Sequence, residues 1–517
     1  MKKTSQFAVL LASFYSIASW ADSMLVPASS SAIAPMAGIA DLISVSEPKA
    51  KRFLATGRFN STIGLGWNCT ATLIASSKKP DPAMPALILT AAHCANPSGL
   101  TGDNEVVIDR PMAPGWQFTP AYFHDNKDDH TPIPIKRIVY SSMKSTDVAV
   151  LELDATYAEL SSRNIEPLML ASFNASTNDI DMAHIPLGLF PGGFFLRYSA
   201  CKVTSARPIF EGYSPIREDN PWYWPKALPT DCVGVYGGSS GSPVFVKDGS
   251  TVVGILATAV EPSLNGCGYG RPCEIADDSL ISRPDAVYFN TVDHILRALK
   301  ADNTLDLSKL DQGDGVGLTR VGPWSTRSEV ADVTGKLQPA RWDLEIASGF
   351  QRIRYKTGPA SSTHCDQPKG YGEALNVADQ PLLRLPVDPK EGIQAICVIG
   401  QKTAQTAWQS ERDATIKLRQ IDNTAPVDSP VFHVDEDPSF WFASTHNNLN
   451  EVVSTFIKYG PLDSTDCANA DGYFPQIPGK SRQLSKTSSW RVCYLGKDEA
   501  GNNSPHFSRD LVASPKG

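Results

Sequence analysis

The sequence predicts an all-β protein with a β-barrel unit, a helix that closes it, and two β-sandwich units. Short apolar runs broken by Gly, Pro and Asn fill residues 53–289, and this spacing is typical of a barrel or a sandwich. Apolar residues then recur three or four positions apart from Phe289 to Leu299, which predicts an amphipathic helix of about three turns. An internal repeat further along the chain predicts the two sandwiches.

The N-terminus has the pattern of a secretory signal peptide. Lys2 and Lys3 precede the apolar stretch 7–18, and small residues lead up to Ala21. The apolar stretch is shorter than the ~20 residues that a membrane-spanning helix needs. We therefore expect residues 1–21 to be cleaved and the mature protein to be secreted, extracellular or periplasmic, with no membrane span.

The other boundaries follow from composition. Residues 22–52 lack alternation and are expected to form a leader or pro-segment. The barrel unit is expected at 53–302, and the polar, Gly-containing stretch 303–334 predicts a linker. The two repeat units then occupy 335–424 and 425–517.

The repeat is visible around four cysteines. Segment 353–365 recurs as 457–467, and a Gly-Tyr pair follows each of them. The second cysteine of each unit, Cys397 or Cys493, opens a Cys-X-X-Gly run. In size, strand-like runs and single disulfide the units resemble immunoglobulin-type β-sandwiches, although the first lacks a core Trp between its cysteines.

Three short motifs predict a nucleophilic site. His93 follows an apolar strand in Thr-Ala-Ala-His-Cys, Asp147 begins another apolar run, and Ser240 lies in Gly-Gly-Ser-Ser-Gly-Ser-Pro. A serine attacks a carbonyl when a neutral imidazole takes its proton, and a carboxylate holds that imidazole in the required tautomer. Each residue alone has an ordinary structural interpretation, as a half-buried histidine, a turn aspartate and a flexible loop. Together and in this order they indicate a catalytic triad.

In these motifs the chain resembles the chymotrypsin-like serine proteases, over roughly residues 53–300. The resemblance implies a double β-barrel and hydrolysis of peptide bonds through an acyl-enzyme at Ser240, with oxyanion amides from Gly238 and Ser240. Alignment on the family's Gly-x-Ser-Gly-x-Pro selects Ser240 over Ser239 and Ser242. The Gly-Ser-Pro run after Ser240 and the run Cys-Thr-Ala-Thr-Leu-Ile are closer to the bacterial glutamyl-endopeptidase-like branch than to animal trypsins. The family often has an aspartate where Ser239 stands, so the resemblance does not extend to activation through a new N-terminus.

The resemblance also implies which residues line the specificity pocket: Gly234, Leu256, Ala257, Thr258 and Ala259. Gly234 offers no carboxylate to a substrate Lys or Arg, and Leu256 replaces the histidine of glutamate-specific relatives. An unpaired charge is costly to bury, so we expect an uncharged, small or medium apolar side chain in this pocket.

Two features qualify this expectation. The loop 261–278 carries Arg271, Glu274 and Asp277, any of which would change the specificity if it reached the pocket rim. Ala257 replaces a serine that commonly hydrogen-bonds the catalytic aspartate in the family, which would weaken activity.

Ten cysteines in an exported chain indicate disulfides, although sequence alone leaves their connectivity open. The family resemblance implies the first pair, the repeat predicts the last two, and the middle four cysteines could exchange partners. The expected pairs are Cys69–Cys94, Cys201–Cys232, Cys267–Cys273, Cys365–Cys397 and Cys467–Cys493. No Cys-X-X-Cys pair has metal-site spacing, and neither a metal nor another cofactor is expected.

The expected partner is a protein or peptide substrate. The net charge of -8, with no long basic run after the N-terminus, argues against nucleic acid. The barrel unit is expected to act autonomously, and the C-terminal units to bind a substrate, a surface or a glycan. Two alternatives compete with this interpretation, a catalytically impaired protease-like binding protein and an adhesin.

Overall fold

The computed structural model describes residues 38–63, 68–95, 102–174, 176, 178–187, 193–212, 221–260, 267–268, 270–447 and 451–513. All of them belong to one compact unit, Ala37–Gly517. The predicted signal peptide lies outside the described residues. No helix in the described part of the chain is long and apolar enough to cross a membrane.

The first part of the chain is built mainly from strands. They are β1 (Asp41–Leu42), β2 (Thr56–Ser61), β3 (Asn68–Ala75), β4 (Pro85–Thr90), β5 (Val106–Pro111), β6 (Trp116–Pro120), β7 (Ile133–Ser142), β8 (Val148–Thr156), β9 (Leu168–Leu170), β10 (Asp179–His184), β11 (Arg197–Lys202), β12 (Arg207–Glu211), β13 (Trp222–Thr230), β14 (Pro243–Val246), β15 (Thr251–Ala259), β16 (Cys273–Ile275), β17 (Leu280–Ser282) and β18 (Val287–Thr291). The helices are α1 (Ala92–Ala95), α2 (Tyr157–Ser161) and α3 (Asp293–Ala298).

The second part of the chain is also formed of strands. They are β19 (Leu318–Arg320), β20 (Ser325–Thr326), β21 (Glu329–Ala331), β22 (Leu337–Pro339), β23 (Leu344–Ile346), β24 (Arg352–Pro359), β25 (Leu375–Asn376), β26 (Leu382–Leu383), β27 (Gly392–Gln401), β28 (Thr415–Ile421), β29 (Val431–Glu436), β30 (Phe440–His446), β31 (Ser454–Pro461), β32 (Phe474–Pro475), β33 (Arg482–Ser485), β34 (Trp490–Lys497) and β35 (Phe507–Leu511). Short 3-10 helices occur at Pro48–Arg52, Lys127–Asp129, Leu307–Lys309 and Glu411–Asp413. The prediction of an all-β fold is confirmed.

The first barrel closes through the pairings β2–β3–β4–β8–β7–β6–β2. In β4 and in most of β8 the residues are apolar without strict alternation because both faces of these strands are buried. In β4, Ile88 points into the barrel core while Leu87 and Leu89 belong to a second cluster. That second cluster also contains Phe245 and Ile255 of the second barrel. The interface between the two barrels therefore accounts for the continuous apolar runs in the sequence.

The second barrel follows the order β11–β10–β14–β15–β18–β13. An isolated bridge between Val203 and Thr230 joins β13 back to the end of β11. Strand β9 runs parallel to both β3 and β15 and connects the two barrels. Strands β12, β16 and β17 extend from β13 as a side sheet.

The barrel unit begins earlier than the sequence predicts. Strand β1 pairs with β11 in the second barrel, and Ile43, Ala50 and Phe53 are fully buried in the cluster between the barrels. Arg52 donates to the buried carboxylate of Asp181 at 2.7 Å. Residues 41–52 are therefore part of this fold rather than a separate leader, because their apolar side chains complete its core.

The predicted three-turn helix is wrong in length. Phe289 lies in β18, where it pairs with Leu256 of β15, and only Asp293–Ala298 is helical. The apolar spacing combines the buried face of a strand with that of a short helix. Both contribute side chains to the core, so the pattern alone does not separate them.

The predicted linker, residues 303–334, is structured. Asn303 is buried and accepts a hydrogen bond from the Ser76 amide at 2.7 Å, and Leu310 packs in the cluster between the barrels. Strands β19 and β20 then pair with β23 and β28. The segment is polar on its surface, but its few apolar residues fix it to the two units that it joins.

Two sheets pack around a shared apolar core in each C-terminal repeat, and in the first repeat they include β19 and β20 of segment 303–334. In the first repeat, β19–β23–β26 faces β20–β28–β27–β24–β25. In the second, β29–β30–β33 faces β32–β31–β34–β35. Both repeats therefore have a β-sandwich architecture.

The cysteines form five disulfides, which join the same pairs that the sequence suggests. They are Cys69–Cys94, Cys201–Cys232, Cys267–Cys273, Cys365–Cys397 and Cys467–Cys493.

The first repeat is docked on the barrel unit, which the sequence does not predict. Phe210 and Ile275 of the side sheet and Tyr223 of β13 share an apolar cluster with the first repeat. The Tyr223 hydroxyl donates to the Ala360 carbonyl at 2.6 Å. The repeat therefore covers the outer face of the sheet that extends from the second barrel.

Candidate active site

His93 and Asp147 lie together because their strands are neighbours. His93 is in α1, directly after β4, and Asp147 directly precedes β8, which pairs with β4. His93 Nδ1 lies 2.6 Å from Asp147 Oδ2, and the His93 amide donates to Asp147 Oδ1 at 3.0 Å. Asp147 is fully buried. The carboxylate thus orients the imidazole with Nδ1–H toward itself and leaves Nε2 for a reacting group.

The electrostatic environment favours a proton on this imidazole during a reaction. Burial works against the charged ring, but the charge and hydrogen bond of Asp147, with a smaller contribution from Glu211, raise the pKa of His93 above its ordinary value. A raised pKa makes the imidazole a better base toward a hydroxyl proton. The pair can therefore accept and return a proton.

The turn that carries Ser240 is fixed to the first barrel. The Thr70 amide donates to the Ser240 carbonyl at 2.8 Å, and the Thr70 hydroxyl donates to the Gly238 carbonyl at 3.0 Å. Thr70 follows Cys69, whose disulfide leads to Cys94 beside His93. These contacts place the turn against the His93 loop.

Two glycines of the turn have positive φ, +91° at Gly238 and +79° at Gly241. A Cβ at Gly241 would lie 2.2 Å from Thr90 Oγ1, and one at Gly238 would lie 2.7 Å from Leu187 Cγ. A larger residue at position 241 would therefore push the turn away from Thr90, which leads into the His93 loop, and one at position 238 would push it away from Leu187. This close approach explains why the motif requires glycine on both sides of Ser240.

The three serines of the turn differ in access. Ser239 and Ser242 are fully buried, whereas Ser240 is partly exposed. No hydrogen bond joins Ser240 to His93 within the described part of the chain. Such bonds are often long in a protein without substrate. The partly exposed Ser240 is therefore the serine best placed for attack on a substrate.

The two amides expected to bind an oxyanion are available. Among the described residues, neither the Gly238 nor the Ser240 amide donates a hydrogen bond. Both belong to the turn that holds Ser240. Two unengaged donors next to a nucleophile are what a tetrahedral intermediate requires.

The five expected pocket residues differ in their exposure to solvent. Leu256 is buried in a core cluster with Phe289. Gly234 has a φ of +68°, and a Cβ there would lie 2.6 Å from the Ala40 amide nitrogen. Ala257 is buried, whereas Thr258 and Ala259 are partly exposed at the end of β15.

Glu211, an acid that the sequence does not predict at the site, lies beside Thr258. Glu211 is buried at the end of β12; it accepts from the Gly270 amide at 2.9 Å and from the Thr258 side chain. Burial raises the pKa of Glu211, which these hydrogen bonds and His93 oppose. No local motif marks this residue, because it reaches the site only through the pairing of β12 with β13 and β16.

Glu274 and Asp277, two acids of the loop 261–278, are engaged elsewhere. Glu274 pairs with Arg283 at 2.8 Å, and Asp277 accepts from Ser361 of the first repeat at 2.6 Å. Arg271 lies beside Gly268. Residues 261–266 and 269 of this loop lie outside the described residues.

The described residues contain one cluster of metal-ligand types, formed by Cys69, His93 and Cys94. The two cysteines are bonded to each other, so their sulfurs are not thiolates. The residues present therefore do not fit a metal ion.

Comparison with known proteins identifies the barrel unit. Residues 69–255 match the family model of the trypsin-like peptidase domain. No curated protein matches the chain.

Three solved structures illustrate the structural likeness. The thermostable serine protease AL20 from an extremophilic microorganism is 15% identical, with a TM-score of 0.29, and covers 47% of this chain and 92% of its own. The protease Anisep from Arthrobacter nicotinovorans is 14% identical, with a TM-score of 0.25, and covers 46% and 90%. The HtrA-type protease AlgW, solved with a tripeptide, is 12% identical, with a TM-score of 0.33, and covers 74% and 99%. Because these TM-scores are low, the identification depends on the sequence match. By that match residues 69–255 form a trypsin-like peptidase domain, and the prediction of a chymotrypsin-like protease is confirmed.

Proposed function

We propose that the protein is a secreted serine endopeptidase in which Ser240 is the nucleophile, His93 the general base and acid, and Asp147 the residue that orients His93. The observation that carries this proposal is the 2.6 Å contact between His93 and buried Asp147, next to a glycine turn fixed to β3. We place the protein closest to the glutamyl-endopeptidase-like branch on its sequence motifs alone.

The proposed reaction has two steps. Ser240 Oγ attacks the substrate carbonyl while its proton passes to His93 Nε2, and the Gly238 and Ser240 amides stabilise the oxyanion. His93 returns the proton to the leaving amine, which gives an acyl-enzyme. Water then attacks the ester by the same route and releases the second product. Asp147 stabilises the imidazolium in both steps.

The proposed primary pocket prefers an uncharged side chain. Ala40 occupies the space next to Gly234, where a carboxylate for Lys or Arg would be needed. The Glu211 carboxylate is already engaged by Thr258 and Gly270. Cleavage-site profiling on a peptide library tests this, and a dominant Lys, Arg or Glu preference would show that another group sets the specificity.

The proposed activity is tested on an unstructured protein substrate such as casein. Ser240→Ala and His93→Ala should each lower kcat by several orders of magnitude, and Asp147→Asn by about 10⁴-fold. Ser250→Ala, at an exposed serine outside the turn, is the matched control and should have wild-type activity. If Ser240→Ala remained active, the nucleophile would be misassigned. An inactive wild-type protein would favour a protease-like binding protein.

For the C-terminal units we propose a role in binding a substrate, a surface or a glycan, and we assign this role to the second repeat. The first repeat has part of its surface covered by the barrel unit. Deletion of the second repeat should weaken binding to a large or immobilised substrate without affecting cleavage of a small peptide.

A further inference from the structure

A buried histidine outside the triad, His184, lies behind the turn that carries Ser240. It is the last residue of β10 and is fully buried, and so is Ser239, the residue before the nucleophile. Ser199 of the neighbouring strand β11 is 3% exposed. No step of the proposed reaction uses these three side chains.

His184 connects the two serines by hydrogen bonds. Its Nδ1 lies 3.1 Å from Ser239 Oγ, and its Nε2 lies 3.0 Å from Ser199 Oγ. Ser199 Oγ donates to the Val233 carbonyl at 2.9 Å, and the Tyr236 amide donates to Ser239 Oγ at 3.4 Å. The chain of bonds thus starts and ends in the segment 233–239, which leads into the nucleophile.

The direction of every bond is determined. Ser199 has one proton and gives it to Val233, so its oxygen must accept from His184 Nε2–H. A neutral imidazole carries one proton, so His184 Nδ1 must accept from the Ser239 hydroxyl. Burial, together with the charge of Arg197, lowers the pKa of His184 to about 3, so the ring is neutral at physiological pH. A protonated ring would have no acceptor for Ser239.

The segment 233–239 is where geometry matters for catalysis. It contains Gly238 and leads directly into Ser240, the two residues whose amides the proposed reaction uses for the oxyanion. Oxyanion donors act only when they are held in place before the reaction. Ser239 is also bonded through its backbone, since its amide donates to the Tyr236 carbonyl at 2.9 Å.

We propose that His184 is a positioning residue, which in its neutral Nε2–H form ties Ser239 to Val233 and thereby fixes the two oxyanion amides. This inference rests on the proposed peptidase function. This chain of hydrogen bonds consists of neutral groups, each with a partner, and its strength comes from complete hydrogen bonding in a buried site.

The test compares substitutions that remove one or both bonds. His184→Leu fills the space without hydrogen bonding, and kcat should fall about 10- to 100-fold with KM nearly unchanged, since the loss is at the oxyanion. His184→Asn places an acceptor where Nδ1 was but loses the bond to Ser199, and it should recover only part of the lost kcat. Ser239→Ala should lower kcat as His184→Leu does, and the double variant should lose no more than either single variant.

The control is His294→Leu in α3. His294 also has a buried Nε2, which has no hydrogen-bond partner among the described residues. Its replacement should leave kcat unchanged. A general effect of removing a buried histidine would instead lower kcat in both His184→Leu and His294→Leu.

A second measurement does not depend on activity or on a substituted protein. Long-range ¹H–¹⁵N NMR of the wild-type protein should show His184 as the Nε2–H tautomer, with no titration between pH 5 and 8 (roughly the range of an ordinary histidine). The Nδ1–H tautomer, titration in this range, or unchanged kcat in folded His184→Leu would each overturn the inference. An inactive wild-type protein would instead contradict the proposed function, and the NMR result would still decide the inference.

Discussion

The two C-terminal repeats share an internal framework built on a lysine. Lys356 in β24 donates to the carbonyls of His364 and Gln367, the latter at 2.6 Å. Lys458 in β31 donates to those of Asp466 and Asn469 at 2.9 and 3.0 Å. In both repeats one ammonium group thus satisfies the carbonyls of the loop that contains the first cysteine.

A tyrosine completes the framework in each repeat. Tyr371 donates to the Cys365 carbonyl at 3.0 Å, and Tyr473 donates to the Cys467 carbonyl at 2.9 Å. Both tyrosines belong to the Gly-Tyr pairs of the sequence repeat. The repeated residues are therefore those that shape the loop around the disulfide.

The repeats differ in what their surfaces contact. The first repeat is held on the barrel unit by an apolar cluster and by Asn104, which exchanges two hydrogen bonds with the backbone of Ile416, at 2.7 and 2.9 Å. The second repeat bonds to the first, as when Asn502 donates to the Asp422 carbonyl at 2.9 Å. Among the described residues it makes no hydrogen bond or ion pair with the barrel unit. The shared motif thus determines the local framework, and residues outside the motif determine docking.

The largest expected effect comes from two truncations. A chain ending after Gln312 keeps Leu310 and Asp311 of the barrel unit but exposes Phe210, Tyr223 and Ile275 to water. We expect aggregation, or at least a tenfold loss of activity on a small peptide. A chain ending after Thr424 loses only the second repeat and should keep the activity within about twofold. If both truncated proteins keep the activity, the barrel unit is autonomous, as the sequence suggests.

The next effect concerns Lys144, which is 7% exposed. It forms an ion pair with Asp311 and donates to the Asp413 carbonyl of the first repeat at 3.1 Å. Lys144→Met would leave Asp311 unpaired, and breaking a buried pair costs about 3–5 kcal/mol. Chemical denaturation should show this loss of stability.

Lys226→Met is its matched control. Lys226 and Asp366 form an exposed ion pair across the same interface, at 3.0 Å. Exposed pairs contribute about 0–1 kcal/mol. Similar losses for Lys144→Met and Lys226→Met would mean that the docking contact is weak.

A smaller effect separates the framework lysines. Lys356 is 8% exposed and Lys458 is half-buried. In Lys356→Met the loop carbonyls that lose the ammonium group are therefore less accessible to water than those in Lys458→Met. Unsatisfied buried polar groups cost about 1–3 kcal/mol, and we expect Lys356→Met to destabilise its repeat more than Lys458→Met does. Hydrogen exchange of β24 and β31 measures each repeat separately, and the reverse order would contradict this explanation.

The last expected effect is a pH dependence at the junction of the repeats. Burial, with the nearby charges of Asp498 and Glu391, raises the pKa of Asp422 to about 7. A raised carboxyl pKa favours the folded state below the unfolded value of about 3.9. This contribution is lost as the pH rises toward 7. Melting curves from pH 4 to 8 should show a decline that Asp422→Asn removes, and an unchanged decline in that variant would exclude Asp422 as the cause.

The sequence predicts what local patterns encode. His93, Asp147 and Ser240 each lie in a short motif whose chemistry can be recognised, and the strand-like runs predict an all-β fold. Cys365 and Cys467 are recognisable because the repeat surrounds each of them with the same residues.

The sequence does not predict what distant segments bring together. Glu211 and His184 have no motif, since their partners lie on other strands of the second barrel. The buried residues of segments 41–52 and 303–334 are few and widely spaced, so composition suggests a leader and a linker. The docking of the first repeat involves residues such as Asn104 and Ile416, about which the repeat motif gives no information.

The most direct test of the proposed catalytic site is the position of a covalent adduct. A fluorophosphonate probe reacts with the activated serine of a serine hydrolase. On the full-length protein, peptide mass spectrometry should locate the adduct at Ser240 alone, with labelling lost in His93→Ala. An adduct at Ser239 or Ser242, or no adduct on folded wild-type protein, would contradict the assignment of Ser240 as the nucleophile.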